Sequence, residues 1–291
     1  MTRIPISLDQ YRGLCADADI SPNYHPDFVE YYFAQLHIPP KIIACIDKTG
    51  RLVAAYPVLF RSIFPNPIHK RLLPARMRRL GDIGQPEILF PIFPTGCIIH
   101  PYYLAPVASP LLRSTVGSVR NISLRKISIA NKPSRQRIQK TERSLSIEHG
   151  TVLFTQDLRP EDFSETYITL HAERWGRSTQ ELVYVRQQIL AMYKHVFGGI
   201  LLFRDEPVAA LLAFSVLGKN ILYVDFVNSG VKIRKTSRAS AGSILLLKCV
   251  SKAYELAYAA GRDLRFSLGY ESGGESYKRL WGVPENTYVA F

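Results

Sequence analysis

The chain has 291 residues, 47% of them apolar and 21% charged, with a formal net charge of +13; this excludes a disordered chain and leaves room for one large core or two units of about 150 residues each. Residues Met1 to Cys15 lack the basic start, continuous apolar run and small-residue cleavage site of a secretory signal, so the expected location is cytoplasmic. Cys15, Cys45, Cys97 and Cys249 are far apart and form no Cys-x-x-Cys or Cys/His ligand spacing, so no metal or disulfide framework is expected and the thiols read as small buried apolar groups.

Pro26 to Leu36 reads as a short helix, stopped by Pro39-Pro40. Lys41 to Ile46 and Leu52 to Phe60 are β-rich runs joined by Asp47-Lys48-Thr49-Gly50, a hairpin signal. The same order returns at Gly199 to Phe203 and Val208 to Val216 around Asp205-Glu206-Pro207, with Gly218-Lys219-Asn220 leading into Ile221 to Val227. This is the pattern of a distant internal duplication.

Between the two copies lies most of the charge. From Arg61 to Arg143 there are 15 Lys/Arg against Asp82, Glu87 and Glu142, a balance of +12, while the rest carries 22 against 21, or +1. Such a concentration suits an anionic partner (a phosphate cofactor, a lipid headgroup surface or nucleic acid), the alternative being a solvated basic face. Within it, Ile88 to Leu112 has no charged residue apart from any contribution of His100, and is long enough to span a membrane. Pro91, Pro94, Pro101, Pro106 and Pro110 remove too many backbone donors for a lipid-exposed helix. Irregular or extended chain is expected there, either in shallow contact with an anionic membrane or buried as a substrate-lining loop.

Arg135 to Ser144 suits a basic helix, and Glu161 to Trp175 and Thr179 to Val196 read as two more, the first beginning after Pro160 with acidic residues in its opening turn. The strand Ile221 to Val227 ends in Asn228-Ser229-Gly230 and a basic, small-residue run from Lys232 to Ser243. The next helix carries an apolar stripe of Leu245, Cys249, Ala253, Leu256 and Ala260 and stops at Gly261. A strand, a small basic loop and a helix N-terminus can cradle phosphate through converging backbone N–H groups. A plain loop capped by Ser240 or Ser243 fits the local pattern equally well. Leu264 to Leu268 then reads as a strand, Gly269 to Gly274 as a turn, Glu275 to Trp281 as a short helix and Asn286 to Phe291 as a closing strand.

The stretch AYELAYAAGRDLRFSLGYESGGESYKRLWGVPENTYVAF resembles the C-terminal signature of GNAT acyltransferases, with Tyr277 and Gly282 at its Tyr and Gly. Arg238, Gly242 and Ser243 meet part of that family's loop consensus. NKPSRQRIQKTERSLSIEHGTVLF is similar to the segment that joins the two GNAT units of FemAB-like proteins. The overall order and the HAERWG stretch, His171 to Gly176, most resemble the bacterial macrophage-inducible Mig-fourteen family, which is associated with resistance to cationic antimicrobial peptides and with the inner membrane.

These resemblances imply an α+β fold of tandem GNAT-like (FemAB-like) mixed-sheet units with flanking helices. Residues 1–140 would form a degenerate N-terminal copy and residues 141–291 the acyltransferase unit. The implied reaction passes an acyl group from acyl-CoA, or an aminoacyl group from a charged tRNA, to an amine. Val224, Phe226 and Val227 would give the donor backbone contacts, and Arg238, Ala241, Gly242 and Ser243 the pyrophosphate cradle. Tyr277 would be the acid, its alternative being a core tyrosine bonded to the backbone. Asp225 and Glu271 are candidates for the base, although strand alternation and turn preference give each a structural reading. His171 and Trp175 share a helix face and could line the acceptor groove, core packing being the alternative for the tryptophan. Two other classes stand beside the enzyme: a non-catalytic GNAT-like protein that binds anionic membrane, at the inner face, or peptides, and a nucleic-acid-binding protein. Sequence-specific DNA binding lacks any helix-turn-helix, zinc-finger or RNP-type signature.

Overall fold

A computed structural model describes residues 2–59, 62–64, 114–122, 143, 150–232, 241–270 and 282–289. The chain opens with strand β1 (Thr2–Ile6) and helices α1 (Leu8–Ala16) and α2 (Pro26–Gln35). Ser7 starts α1 with a reciprocal cap: its Oγ accepts from Gln10 N at 3.1 Å and its own N–H donates to Gln10 Oε1 at 2.8 Å. Strands β2 (Ile42–Ile46), β3 (Leu52–Leu59) and β4 (Ser62–Ile63) follow, and pair with β1 as an antiparallel sheet in the order β1-β2-β3-β4. The β2–β3 hairpin forms at the expected place, where Asp47 Oδ1 accepts from the amides of Thr49 and Arg51 and Gly50 takes a φ of 83°.

The second sheet has seven strands: β5 (Ser114–Ile122), β6 (Gly150–Phe154), β7 (Val196–Phe203), β8 (Glu206–Leu217), β9 (Ile221–Val231), β10 (Asp263–Tyr270) and β11 (Gly282–Val289). Their order is β11-β5-β10-β9-β8-β7-β6. Among the described residues β9 and β10 form its one parallel pair. Helix α5 (Ala241–Ala259) makes the crossover between them, while α3 (Pro160–Trp175) and α4 (Val183–Ala191) stand between β6 and β7 in the chain. Residues 114–122 thus supply a strand to a sheet otherwise built from residues after 150.

Strand β8 separates two cores by simple alternation. Ala210, Leu212, Phe214 and Val216 face α3 and α4, in one cluster with Tyr11, Phe28, Phe33 and Ile42 of the first sheet and its helices. Ala209, Leu211 and Ala213 face α5, packing with Leu245, Cys249, Val250 and Phe266. Asp19 adds a polar tie between the two parts of the chain: its carboxylate accepts from the backbone amides of Asn220 and Ile221 and from Asn220 Nδ2, holding the β8–β9 turn.

Several expectations change, among them that Gly269 and Tyr270 belong to β10 instead of a turn and that the closing strand begins at Gly282, ahead of Asn286. Thr179 to Val196 is not one helix: a 3-10 turn at Thr179–Leu182, α4 and a second 3-10 turn at Tyr193–His195 share the stretch, and Val196 already belongs to β7. The strand expected over Ile221 to Val227 runs on through Asn228-Ser229-Gly230 to Val231. The buried stripe of α5 runs through Leu245, Cys249, Ala253 and Ala257, whereas Leu256 is exposed and Ala260 lies past the helix end. Cys15, Cys45 and Cys249 are buried, as expected of small apolar groups. The basic helix at Arg135 to Ser144, apart from Arg143, and the proline-rich run at Ile88 to Leu112 lie outside the described residues. No helix among the described residues is long and apolar enough to cross a membrane.

Candidate functional site: a seam between two strands

Strands β9 and β10 pair from Ile221↔Asp263 to Asp225↔Ser267, and the ladder stops there although both strands continue. Beyond that point β9 stays with β8 across a bulge, Ala213 facing Phe226 but Leu212 facing Asn228, so that Val227 is the extra residue. In the same place β10 changes register against β5, between Ser267 and Tyr270. Among the described residues no strand continues the ladder on the β10-facing edge of β9 beyond Asp225, an edge whose N–H and C=O groups suit an extended ligand.

Helix α5 begins at this end of the seam. Its C-terminal turn lies against the start of β9, where Arg262 Nε donates to Gly218 O and Asp263 N to Asn220 O. Its first turn, with Ala241, Gly242 and Ser243, is consequently at the other end, where the strands part. The free amides of a helix start and the positive end of its dipole favour an anion there.

The other side of the seam is built by α3. Gly230 permits this: a β-carbon on it would lie 2.5 Å from His171 N and 2.6 Å from the Leu170 carbonyl carbon. The close approach brings His171 Nε2 to 3.4 Å from Asn228 Nδ2 and lets Arg174 Nη1 donate to Ser229 O at 2.8 Å and to its Oγ at 2.6 Å. Asn228 Oδ1 in turn accepts from Ser229 N. The Arg174 guanidinium lies 4.9 Å from the centroid of the Trp175 ring, a cation–π contact. Trp175 is 49% exposed and His171 only 7%. Burial, helped by the charges of Arg177 and Arg174, pushes the His171 imidazole down to about 4, so the ring is neutral at pH 7. Its Nδ1 is buried with no hydrogen-bond partner among the described residues. A neutral ring of this kind orients a ligand better than it removes a proton.

Nine of the twelve residues expected from the sequence lie among the described residues. Phe226 and Val227 lie just past the end of the ladder, and Val224 lies within it, opposite Phe266. Ala241, Gly242 and Ser243 form the start of α5, and on α3 His171 lies against Asn228 with the Trp175 ring 6.3 Å from its own. Asp225 occupies the last rung and is buried. It lies near enough to Tyr32 for its charge to help raise that phenol, after the larger effect of burial. Arg238, Glu271 and Tyr277 lie outside the described residues. Asn228, Ser229 and Arg174 belong to the site as well. Their signal was Gly230, since a glycine inside a strand marks the close approach of another backbone.

A family model described as Mig-14 matches residues 25–290. Among solved structures the chain is similar to FemX, with a TM-score of 0.55 at 9% identity, covering 100% of this chain and 96% of that one. It is also similar to a tandem GNAT protein from the clavulanic acid biosynthesis pathway, with a TM-score of 0.46 at 12% identity over 99% and 96% of the two chains. For L-PGS from Bacillus licheniformis the TM-score is 0.45 at 14% identity, over 67% and 68%. No curated protein matches the sequence. The likeness to FemX, which spans nearly all of both chains, shows the fold expected from the sequence: an α+β, tandem GNAT-like architecture.

Proposed function

The chain belongs to the Mig-14 family, and from that premise and the geometry of the seam we propose that it transfers an acyl or aminoacyl group to an amine. The observation that carries the reading is the parting of β9 from β10 after Asp225 and Ser267, beside the first turn of α5. The pantetheine arm of an acyl-CoA is an extended chain of amides, and the free edge at Phe226 and Val227 offers it partners as an added strand would. The diphosphate then falls to the amides of Ala241, Gly242 and Ser243, with Arg238 as the matching cation by resemblance.

The acceptor amine enters from the α3 side, past Trp175 and Arg174. Its nitrogen attacks the thioester carbonyl; the C–N bond forms, the C–S bond breaks, the amine proton goes to a base and the thiolate takes a proton from an acid. Tyr277 is that acid by resemblance, Asp225 and Glu271 are the candidates for the base, and His171 orients the acceptor. An aminoacyl-tRNA is the donor in the FemAB-like version, and the +12 balance of residues 61–143 suits such a polyanion. Resistance to cationic antimicrobial peptides, through a modified envelope amine at the inner face of the cytoplasmic membrane, is the role that the Mig-14 resemblance implies.

Calorimetric titration with acetyl-CoA, longer acyl-CoAs and charged tRNA tests the proposal. Binding of one donor class, displaced by the other, is expected; folded protein that binds none of them overturns the reading. With a donor found, Tyr277→Phe should lower kcat by about a hundredfold while leaving the fold intact.

The same charge balance favours a second reading, a non-catalytic protein held on anionic lipid. Co-sedimentation with anionic and neutral vesicles separates the two, and equal binding to both removes the electrostatic basis of this reading.

A further inference from the structure

At the start of α2, His25, Asp27 and His195 converge so that one ligand atom from each lies within 4.8 Å of the others. We propose that they form a binding site for a transition-metal dication of the zinc class, which clamps α2 to the turn ahead of β7. Two imidazoles and a carboxylate are a donor set such ions prefer. Bonds of about 2.0–2.1 Å place tetrahedral ligand atoms about 3.3–3.4 Å apart. His25 Nδ1 is 3.3 Å from Asp27 Oδ2, and His195 Nε2 is 2.7 Å from the same oxygen. The first distance fits as it stands, and the second must open by about 0.6 Å. The two rings are held edge to face with centroids 4.5 Å apart, and Phe28 backs His195 at 5.4 Å. All three side chains are partly exposed, which leaves an entry path and room for water as a fourth ligand.

The neighbouring charges identify the competitor. Arg12 Nη1 holds the other carboxylate oxygen, Oδ1, at 2.6 Å, where it can stay and orient the ligand. Lys194 Nζ lies 2.8 Å from Oδ2, the oxygen the ion needs, and its side chain is 67% exposed. Moving this ammonium into water costs little, because the lysine side chain already lies mostly in solvent. His25 Nδ1 also gives up a long contact, 3.3 Å, from Asp27 N. The proton between His195 Nε2 and Asp27 passes to Nδ1 of the same ring or to solvent.

The test is a titration of the purified, chelator-treated full chain with Co2+ and Zn2+, followed by d–d absorption, calorimetry and thermal melting. One ion per chain is expected, with the intense Co2+ bands of a four-coordinate site. His195→Ala should weaken binding by about tenfold or more. Lys194→Met, an exposed position whose change leaves the fold intact, should tighten it several-fold by removing the competing cation. Zinc should raise the melting temperature of the wild type and of Lys194→Met, but not of His195→Ala. No binding by the wild type, an affinity that His195→Ala leaves unchanged, or unchanged or weaker binding by Lys194→Met overturns the site.

Discussion

On the α5 side of the seven-stranded sheet, Leu211, Val224, Leu245, Val250 and Phe266 are buried in a cluster of hydrophobic residues. On the α3 side, Phe163, Leu212 and Phe214 share the interior with buried Asn23, His171, Gln188 and Asp225. The first face has one task, to fix the sheet and present the start of α5. The second spends stability on buried polar groups, each of which costs free energy unless it is matched. Unlike the apolar face, the α3 side thus offers polar groups to an incoming molecule, in keeping with the acceptor side proposed above.

Four substitutions or conditions break or sharpen that contrast. The largest effect is expected on the apolar face: Leu245→Ala should cost about 2–5 kcal/mol in urea unfolding, because Leu245 is fully buried. A much smaller loss would mean that α5 is loosely held. Next comes Gly230→Ala, whose β-carbon meets the α3 backbone 2.5 Å away. The expected cost is about 1–3 kcal/mol, and a neutral result would show that α3 can stand off from the seam.

Acid should act through the polar side. His171 and His25 are both held down to about 4, chiefly by burial, from an ordinary value of 6.5. Between those values the unfolded chain binds more protons than the folded one, so stability is complete above about pH 6.5 and falls as the pH drops towards 4. His171→Gln should flatten that slope by an amount on the order of 1–2 kcal/mol across the window. An unchanged slope would show that His171 is hydrated. The smallest effect on stability belongs to Trp175→Ala, under about 0.5 kcal/mol for a half-exposed side chain. The same change should weaken acceptor binding, as measured by a raised KM for the amine.

Much of this architecture was legible because the chain is punctuated. Pro26 and Pro160 sit at the first positions of α2 and α3, and Asp47 to Gly50 turns β2 into β3. The stretch Thr179 to Val196 misled because no proline or glycine marks its breaks, which come where Leu182 and Met192 leave helical geometry. Asn228 to Gly230 looked like the end of a strand by composition, whereas its glycine serves a tertiary contact that only the folded α3 reveals. The helix start at Gly242 could be read locally, since strand, loop and helix follow in order. The convergence of His25 and Asp27 with His195 could not, for the Asp27–His195 contact joins residues 168 positions apart. Short-range ligand spacing carries no trace of it.

The place of β5 has a consequence for synthesis of the chain. Ile122 pairs with Phe266 and with Gly282, which the ribosome adds 266 − 122 = 144 and 282 − 122 = 160 residues later. At about 5–20 residues per second, the nascent chain carries this strand with both edges unpaired for roughly 10–30 s. Insertion of β5 between β10 and β11 is thus a late, long-range closure, and the interval before it is when a holding chaperone would have most to protect.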